Sequence, residues 1–260
     1  MGTPIFIIIL AFLLILLWGS HLFYRRRVAR LEQLVSHTSS KLESLQVHFE
    51  RFAPPDVVER LTQHNGSIAP ERREVTVLFA DLIGFTAMCD QLDPIETVGI
   101  LNGYFSSMNE VLKRHHGKVT ELVGDGMLAL FGALGSNPWQ VRDAVNGALA
   151  MRVALLEYNQ KLRGKNLPEL AFGIGIHKGE VLAGLMGNEE LAKFGVVGDP
   201  INVASRVEQL TRLHGVDLLI TEEIRKGLGE EFRLRELPPT QVKGKREPIP
   251  TYFVEGRNSA

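Results

Sequence analysis

Two strand-like segments joined by a very short turn restrict the fold of this chain more than any other feature. The segments KVTELV (118–123) and MLALFG (127–132) are separated only by a turn at Gly124, Asp125 and Gly126. Apolar segments of this length around a turn of glycine and aspartate are typical of a β-hairpin. The fold must therefore contain an antiparallel strand pair on which the flanking segments pack.

Further strand and helix patterns lie on both sides of this hairpin. In chain order the sequence predicts a strand at 74–80, a helix from the N-cap Asp93 to Gly117, the hairpin, a helix from Asn137 to about Leu162, strands at 171–177 and 180–186, a helix from Asp199 to about Leu213, a strand at 217–220, a short helix, and strands near 231–236 and 251–254. Prolines directly after the caps support the helix starts. A βαββαβ order with added elements predicts an α+β fold, with helices packed on an antiparallel sheet.

The N-terminal residues are apolar. Residues 5–18 contain no polar side chain, and residues 1–24 contain no charged one. Twenty such residues form a helix about 30 Å long, which spans a bilayer. Basic residues follow this run at 25–27, whereas in a cleaved signal peptide, the alternative, they precede it. The pattern predicts a transmembrane anchor at 1–24 in contact with membrane lipid, and hence a single-pass protein of the inner (cytoplasmic) membrane whose body faces the cytosol.

A basic juxtamembrane segment with a heptad pattern covers residues 25–53. Its seam positions are Val28, Leu31, Val35, Thr38, Leu42, Leu45, Phe49 and Phe52, all apolar except the threonine. Such a repeat predicts a short parallel coiled coil and therefore a homodimer, with an amphipathic helix lying on the body as the alternative. Pro54 and Pro55 end the helix, and residues 54–73 are predicted to form a linker.

The charge balance and the single cysteine exclude two classes of protein. The 29 Lys and Arg residues nearly balance 30 Asp and Glu residues, which gives a net charge of −1. Binding to nucleic acid through overall charge is therefore not expected. Cys89 has no second cysteine to pair with, which excludes an intrachain disulfide and fits a reducing compartment.

Two aspartates each follow an apolar strand. Asp81 stands in FADLIGFT (79–86), and Asp125 stands in the hairpin turn. If the first strand lies beside the hairpin, both carboxylates come together, and a shared divalent cation would compensate their loss of hydration. The alternative is that Asp81 only caps a helix and Asp125 only forms a turn. The backbone amides of residues 83–86 would be placed to bind phosphate at a helix start.

Two further clusters carry groups that suit a phosphorylated ligand. In VVGDPINVASRVE (196–208), Asn202 and Arg206 are four residues apart and share one helix face, where an arginine can stabilise phosphoryl charge. In QVKGKREP (241–248), Lys243 lies in a small basic loop. Each cluster alone also fits a solvent-exposed surface.

Together, five motifs resemble the catalytic domain of the class III adenylyl and guanylyl cyclases. They are FADLIGFT, ELVGDGMLALFG, FGIGIHKGEVLAG, VVGDPINVASRVE and VKGKREPIPTYFV, in the family's order and spacing. The resemblance covers roughly residues 71–255, and we assign the catalytic domain to 74–256 and a tail to 257–260. It implies a palm-type, ferredoxin-like βαββαβ core that acts as a head-to-tail homodimer with sites at the interface.

The resemblance also implies roles for the matching residues. Asp81, Ile83 and Asp125 would hold two divalent cations, Mg²⁺ or Mn²⁺, and the substrate phosphates would contact Gly84, Phe85, Thr86 and Lys243. From the opposite subunit, Asn202 would position the ribose and Arg206 would stabilise charge at the α-phosphate. The implied reaction converts a nucleoside triphosphate into a 3′,5′-cyclic nucleotide and pyrophosphate.

The choice of base is implied by two positions, Glu121 and Gly195. Guanylyl cyclases carry glutamate at the first position, where adenylyl cyclases carry lysine. A carboxylate accepts hydrogen bonds from guanine N1–H and the 2-amino group, whereas adenine N1 is itself an acceptor. Glu121 therefore favours GTP and cGMP, with ATP and cAMP as the alternative and a pyrimidine nucleotide as a third. Gly195 offers no side chain to read the base, and Glu121 can also be a solvated edge-strand residue.

Two other functions fit the resemblance less well. A catalytically silent, nucleotide-binding signalling module typically lacks a metal aspartate or the Asn–Arg pair, and this chain has all four residues. A palm-type enzyme that joins two nucleotides would have no use for the helix of Asn202 and Arg206.

Overall fold

The computed structural model describes residues 17–42 apart from 22, 26 and 29, and residues 70–133, 135–186, 193–241 and 248–258. The chain divides into two compact units, Met1–Gln63 and His64–Ala260.

In the first unit, the described residues between 17 and 42 are helical. Leu31, Val35 and Leu42 of the predicted heptad are exposed there. The rest of the predicted coiled coil and most of the linker at 54–73 lie outside the described residues, and the coiled coil stays a prediction.

The predicted membrane anchor is corrected by the structure. Among the described residues, no helix is long and apolar enough to cross a bilayer. In their helical part, charged residues such as Arg25, Arg27 and Arg30 recur every few positions, and such side chains are costly in an apolar span. The prediction of a single-pass protein of the cytoplasmic membrane in contact with lipid is contradicted by this finding. Residues 1–16 of the predicted anchor lie outside the described residues.

The described part of the second unit is built on an eight-stranded sheet. Its elements are β1 (Glu71–Leu82), α1 (Phe85–Cys89), α2 (Pro94–Arg114), β2 (Lys118–Val123), β3 (Gly126–Phe131), α3 (Gln140–Arg163), β4 (Phe172–Met186), β5 (Lys193–Val197), α4 (Asp199–His214), β6 (Leu218–Thr221), α5 (Glu222–Arg225), β7 (Phe232–Thr240) and β8 (Ile249–Arg257). The strand order is β2-β3-β1-β4-β6-β8-β7, and β5 pairs with β4. The α+β class predicted from the sequence is confirmed.

Local sequence signals explain where the two long helices begin. Asp93 caps α2, because its carboxylate accepts a hydrogen bond of 2.8 Å from the Ile95 amide. The helix α3 starts a few residues after the predicted cap. The side chain of Asn137 accepts a hydrogen bond from the Trp139 amide at 2.9 Å and so closes a turn ahead of the helix.

Alternation along β1 divides the core between the two faces of the sheet. Leu78, Ala80 and Leu82 are buried in the same cluster as apolar residues of α2 and α3. Val75 and Val77 instead share a cluster with Ala204 of α4. Successive strand residues point to opposite faces, so α2 and α3 cover one face and α4 covers the other. Asp81 continues the series of odd-numbered residues and therefore belongs to the face of α4.

The strand pair predicted at 171–177 and 180–186 is a single strand, β4. It pairs without interruption with β1, from Ala183 opposite Glu71 to Phe172 opposite Leu82. Twelve consecutive pairs hold the backbone extended through Lys178 and Gly179, where the sequence suggested a turn. β4 also pairs in parallel with β6, so the sheet is mixed and the predicted fully antiparallel sheet is wrong in this detail.

Glycines of β4 allow α4 to pack against the strand. A Cβ at Gly179 would lie 2.6 Å from Pro200 Cγ, and a Cβ at Gly175 would overlap the Ala204 carbonyl and the Glu208 amide. Side chains at these positions would push the helix off the sheet. Helix α4 therefore runs antiparallel to β4. Its C-terminal half lies toward the start of β4, which is beside the end of β1 that carries Asp81.

Candidate active site

Asp81 lies at the end of β1, beside the turn between β2 and β3. In the pairing of β1 with β3, Ala80 is opposite Met127, which brings Asp81 next to Gly126. A Cβ at Gly126 would be only 3.0 Å from Asp81 Oδ1. The absence of a side chain at this glycine therefore lets the carboxylate lie against the turn.

Asp125 occupies that turn. Val123 pairs with Gly126, so the turn consists of Gly124 and Asp125, and Gly124 has a φ of 63°, which glycine adopts without strain. Burial raises the pKa of the Asp125 carboxyl, and the negative charge of Asp81 raises it further, while Arg212 opposes the shift. The structure thus brings the two predicted metal aspartates close enough to repel each other.

A cation between these carboxylates would remove that repulsion, and carboxylate oxygens are ligands that suit Mg²⁺ and Mn²⁺. Within the described ranges, no group of three or more His, Cys, Asp or Glu side chains is arranged to hold a metal ion. The two carboxylates would therefore need backbone, water or substrate oxygens as additional ligands, as is usual for Mg²⁺. A contribution from Ile83 would come from its carbonyl oxygen.

The predicted phosphate-binding segment follows Asp81 directly. The Ile83 amide donates a hydrogen bond of 2.8 Å to the Ala171 carbonyl, so this amide is not available to bind phosphate. Gly84 adopts a left-handed conformation with a φ of 74° and precedes α1. Phe85 is buried in the core, while Thr86 is exposed. The groups that remain for phosphate are therefore the backbone amides of residues 84–86, rather than the Phe85 side chain.

Arg212, near the end of α4, makes a contact with Asp81 that the sequence does not predict. Its Nη2 donates to Asp81 Oδ2 at 2.7 Å and to the Leu82 carbonyl at 3.2 Å. Its Nη1 lies 3.5 Å from Glu208 Oε1. One guanidinium therefore lies between a predicted metal ligand and a second carboxylate.

Glu208 is buried, with 1% of its surface exposed. Its Oε1 has no hydrogen-bond partner among the described residues, because the approach of Arg212 is an ion pair rather than a hydrogen bond. Burial raises the pKa of Glu208 to about 7, and repulsion by Asp81 and Asp125 adds to the shift against the attraction of Arg212.

Tyr104 of α2 adds a second buried polar group near the aspartates. Its hydroxyl has no hydrogen-bond partner in the described part of the chain. Burial raises its pKa far above the usual range, and the charges of Asp81, Asp125 and Glu208 act in the same direction. An electronegative region thus extends from the two aspartates into the core.

A sequence signal for Glu208 existed, although none existed for its contact with Asp81. Glu208 follows Ala204 by four residues and so falls on the buried stripe of α4. A glutamate in an apolar stripe is unusual and indicates a partner. The spacing of Glu208 and Arg212, in contrast, is that of an ordinary exposed helix pair.

Asn202 and Arg206 are not brought to the aspartates of their own chain. Asn202 is ten residues before Arg212 on α4, about 15 Å along the helix axis. The neighbouring Pro200 packs on Gly179 of β4, away from the end that faces Asp81. A site that uses Asp81 with Asn202 would therefore have to take them from different chains.

The two predicted base-reading positions are also far apart within one chain. Glu121 pairs with Leu128 of β3, which is opposite Phe79 of β1. Gly195 pairs with Gly184, one residue beyond the Ala183–Glu71 pair. Nine residues of strand, about 30 Å, separate these two levels of the sheet.

Their surroundings differ as well. Glu121 is partly buried and has an interaction partner, which argues against a freely solvated glutamate. A Cβ at Gly195 would meet only Met186 Sδ, at 3.8 Å, so a side chain would fit there. Lys243 lies outside the described residues.

Comparison with known proteins identifies the family. The sequence profile of the adenylate and guanylate cyclase catalytic domain matches residues 68–256. An adenylate cyclase of Anabaena cylindrica is 34% identical over 227 residues, which are 83% of this chain and 44% of the relative. The chain therefore spans less than half the length of this curated relative.

Solved structures give the same result. The guanylyl cyclase Cya2 has 36% sequence identity and a TM-score of 0.67, with 74% of this chain and 96% of the other covered. The guanylate cyclase domain of RhGC from Catenaria anguillulae, in complex with GTP, has 25% identity and a TM-score of 0.63, with 72% and 100% covered. These matches confirm the resemblance seen in the sequence: the chain belongs to the class III adenylate and guanylate cyclase family.

Proposed function

We propose that this chain is a nucleotide cyclase that converts a purine nucleoside triphosphate into a 3′,5′-cyclic nucleotide and pyrophosphate at a homodimer interface. One observation carries the proposal. Asp81 and Asp125 lie together where the end of β1 meets the turn between β2 and β3, whereas Asn202 and Arg206 of the same chain lie earlier on α4 than Arg212, the residue that contacts Asp81. This arrangement supports a site made of two complementary halves, one from each of two copies of the chain.

The residues of each half have separate tasks. When bound between Asp81 and Asp125, divalent cations supply positive charge that acidifies the ribose 3′-hydroxyl and neutralises the triphosphate. The amides of residues 84–86 bind phosphate oxygens at the start of α1. Asn202 of the second chain orients the ribose, and Arg206 of that chain stabilises the charge that grows on the α-phosphate. The 3′-oxygen then bonds to the α-phosphorus while its proton passes to solvent water, and the bond from the α-phosphorus to the pyrophosphate oxygen breaks, so that pyrophosphate leaves.

Glu121 supports GTP as the favoured substrate. Its carboxylate can accept both guanine donors, and its partial burial would strengthen such hydrogen bonds. The relatives include adenylate and guanylate cyclases, so this preference rests on Glu121, and ATP is the alternative. A parallel coiled coil at residues 25–53 would raise the effective concentration of the partner domain.

The full chain, purified and incubated with Mn²⁺ or Mg²⁺ and each of the four nucleoside triphosphates in turn, tests the proposal. Mass spectrometry should identify cGMP as the main product, with a smaller yield of cAMP, and no product after chelation of the metal. An Asp125→Asn variant serves as the matched control and should form no product.

Two other outcomes would contradict parts of the proposal. A larger yield of cAMP than cGMP would overturn the GTP preference alone. Binding of GTP without any cyclic product, in a folded protein with metal present, would show a silent signalling module instead of an enzyme.

A further inference from the structure

Arg212 donates a hydrogen bond to a carboxylate oxygen that the proposed metal site would use. Two divalent cations held between Asp81 and Asp125 would compete with any other donor or cation for the carboxylate oxygens of these residues. Asp81 Oδ1 faces the turn that carries Asp125, and Asp81 Oδ2 accepts the hydrogen bond from Arg212 at 2.7 Å. The guanidinium and a second cation cannot both take this oxygen in the geometry observed.

Glu208 offers Arg212 another partner. Its Oε1 is buried, has no hydrogen-bond donor among the described residues, and lies 3.5 Å from Arg212 Nη1. A buried carboxylate oxygen without a donor is costly, and a small movement of the guanidinium would supply one. The Arg212 side chain is 38% exposed, so solvent leaves room for this movement, whereas Glu208 is held within the helix packing.

We propose that Arg212 is the resident counter-cation of the metal site and has two positions. Without metal it neutralises Asp81, and when divalent cations bind it releases Asp81 Oδ2 and pairs with Glu208. Arg212 is thus a positioning residue that sets the affinity for metal, and Glu208 is the acceptor that makes its release possible. This inference rests on the proposed function, because it takes Asp81 and Asp125 as the metal ligands.

The physical reason is competition between two kinds of cation for one carboxylate. In the metal-free protein, Arg212 relieves the repulsion among Asp81, Asp125 and Glu208, which would otherwise destabilise the fold. The same hydrogen bond must break before metal can use Asp81 Oδ2. The residue therefore stabilises the metal-free protein and weakens metal binding at the same time.

The test measures Mn²⁺ binding to the full chain without nucleotide, by electron paramagnetic resonance of free Mn²⁺. Arg212→Met should tighten Mn²⁺ binding by roughly tenfold, the equivalent of one hydrogen bond to a charged group. The same variant should unfold at a temperature lower by roughly 4 °C in the absence of metal. Arg114→Met is the matched control, because Arg114 pairs with Glu110 on the exposed surface of α2, and it should change neither quantity.

Glu208→Gln tests the second position. Glutamine keeps an acceptor oxygen but has no negative charge, so the weaker pairing should hold Arg212 on Asp81 and weaken Mn²⁺ binding by several-fold. In the Arg212→Met background the same change should have a smaller effect, since no guanidinium is left to be held. If Arg212→Met does not fold, Arg212→Gln, which keeps a donor but removes the charge, should tighten binding in the same direction.

The possible failures can be told apart. Wild-type protein that binds no Mn²⁺, or binding that survives in Asp125→Asn, contradicts the proposed metal site itself. Wild-type binding that Asp125→Asn abolishes, combined with unchanged or weaker binding in folded Arg212 variants, overturns only the role of Arg212. Equal effects of Glu208→Gln in both backgrounds would remove Glu208 as its second partner.

Discussion

Glu208 shows how one buried carboxyl group affects stability over a physiological range of pH. Its pKa is raised from 4.5 to about 7, chiefly by burial. Between these two values the folded protein holds a proton that the unfolded chain has already released. The contribution of Glu208 to the free energy of unfolding is therefore largest below pH 4.5 and falls as the pH rises to about 7.

Replacement of this carboxyl group should make the protein less sensitive to high pH. In metal-free protein, Glu208→Gln should gain stability relative to wild type by about 1–3 kcal/mol more at pH 8 than at pH 5. Thermal or urea unfolding at both pH values measures the difference. The exposed Glu110→Gln is the control, and an equal change at both pH values in Glu208→Gln would contradict a buried, protonated Glu208.

Base selection belongs to the same scale, because it depends on two side-chain positions. A double variant, Glu121→Lys with Gly195→Asp, replaces an acceptor for guanine with a donor for adenine N1 and adds a carboxylate where space is available. We expect the ratio of kcat/KM for GTP to that for ATP to fall by at least about tenfold, the effect of one lost bidentate contact. The Gly195→Ala variant controls for added bulk alone. A double variant that is active and keeps the wild-type ratio would exclude Glu121 from reading the base.

Among the elements, the contact between β4 and α4 determines where the charged end of α4 lies. Gly175 has no room for a side chain, because a Cβ there would overlap backbone atoms of Ala204 and Glu208. Backbone atoms cannot rotate away as a flexible side chain can. Helix α4 would have to shift as a whole, and Arg212 would move with it.

Gly175→Ala should therefore lower the free energy of unfolding by about 1–3 kcal/mol, as is typical of overpacked cores. Chemical denaturation of the metal-free protein measures the loss. Gly99→Ala in α2 is the matched control, since a Cβ at Gly99 meets no atom within 4 Å, and the control should be neutral or slightly stabilising. Equal stability of Gly175→Ala and wild type would show that α4 is not held by this close contact.

Elements stabilised by nearby residues could be predicted from the sequence, and those stabilised by distant ones could not. The hairpin of β2 and β3 and the cap at Asp93 depend on residues close in the chain, and both predictions are confirmed. Continuity of β4 depends on its twelve pairs with β1, which lies about a hundred residues earlier. The parallel pairing of β4 with β6 has no local signal either.

The same distinction applies to the candidate site. The closeness of Asp81 and Asp125 could be predicted, because each ends a strand and the strands are neighbours. The contact of Arg212 with Asp81 joins residues 131 positions apart. It depends on where along β4 the helix α4 packs, which the glycines of β4 determine. That position cannot be derived from a single sequence.

At the scale of the whole molecule, the separation of the two half-sites predicts activity in mixed dimers. Asp81→Ala and Arg206→Ala should each be inactive, because each removes one half of every site. In a heterodimer of the two variants, one of the two sites would retain both intact halves. With random pairing, an equal mixture should recover about a quarter of the wild-type activity.

Subunit exchange between differently tagged variants, followed by purification of the heterodimer and measurement of product, tests this prediction. A mixture of Asp81→Ala with Asp125→Asn is the control. Both changes lie in the same half, so each of the two sites would lack one of its two aspartates, and no activity should return. Heterodimers of Asp81→Ala and Arg206→Ala that remain inactive would contradict a site shared between two chains.

The uninterrupted strand β4 also sets the distance, within each subunit, between the level of Asp81 and the level of Gly195. Gly173, opposite Asp81, and Gly184, opposite Gly195, are eleven residues apart on it, about 36 Å in an extended strand. In a symmetric dimer this distance would be the same for both sites. Removal of two residues from β4 would leave the same side chains facing α4 but shorten the distance by about 7 Å. The residues at these two levels would then be misplaced in both sites at once, and a change confined to a single loop could not correct the spacing in either site.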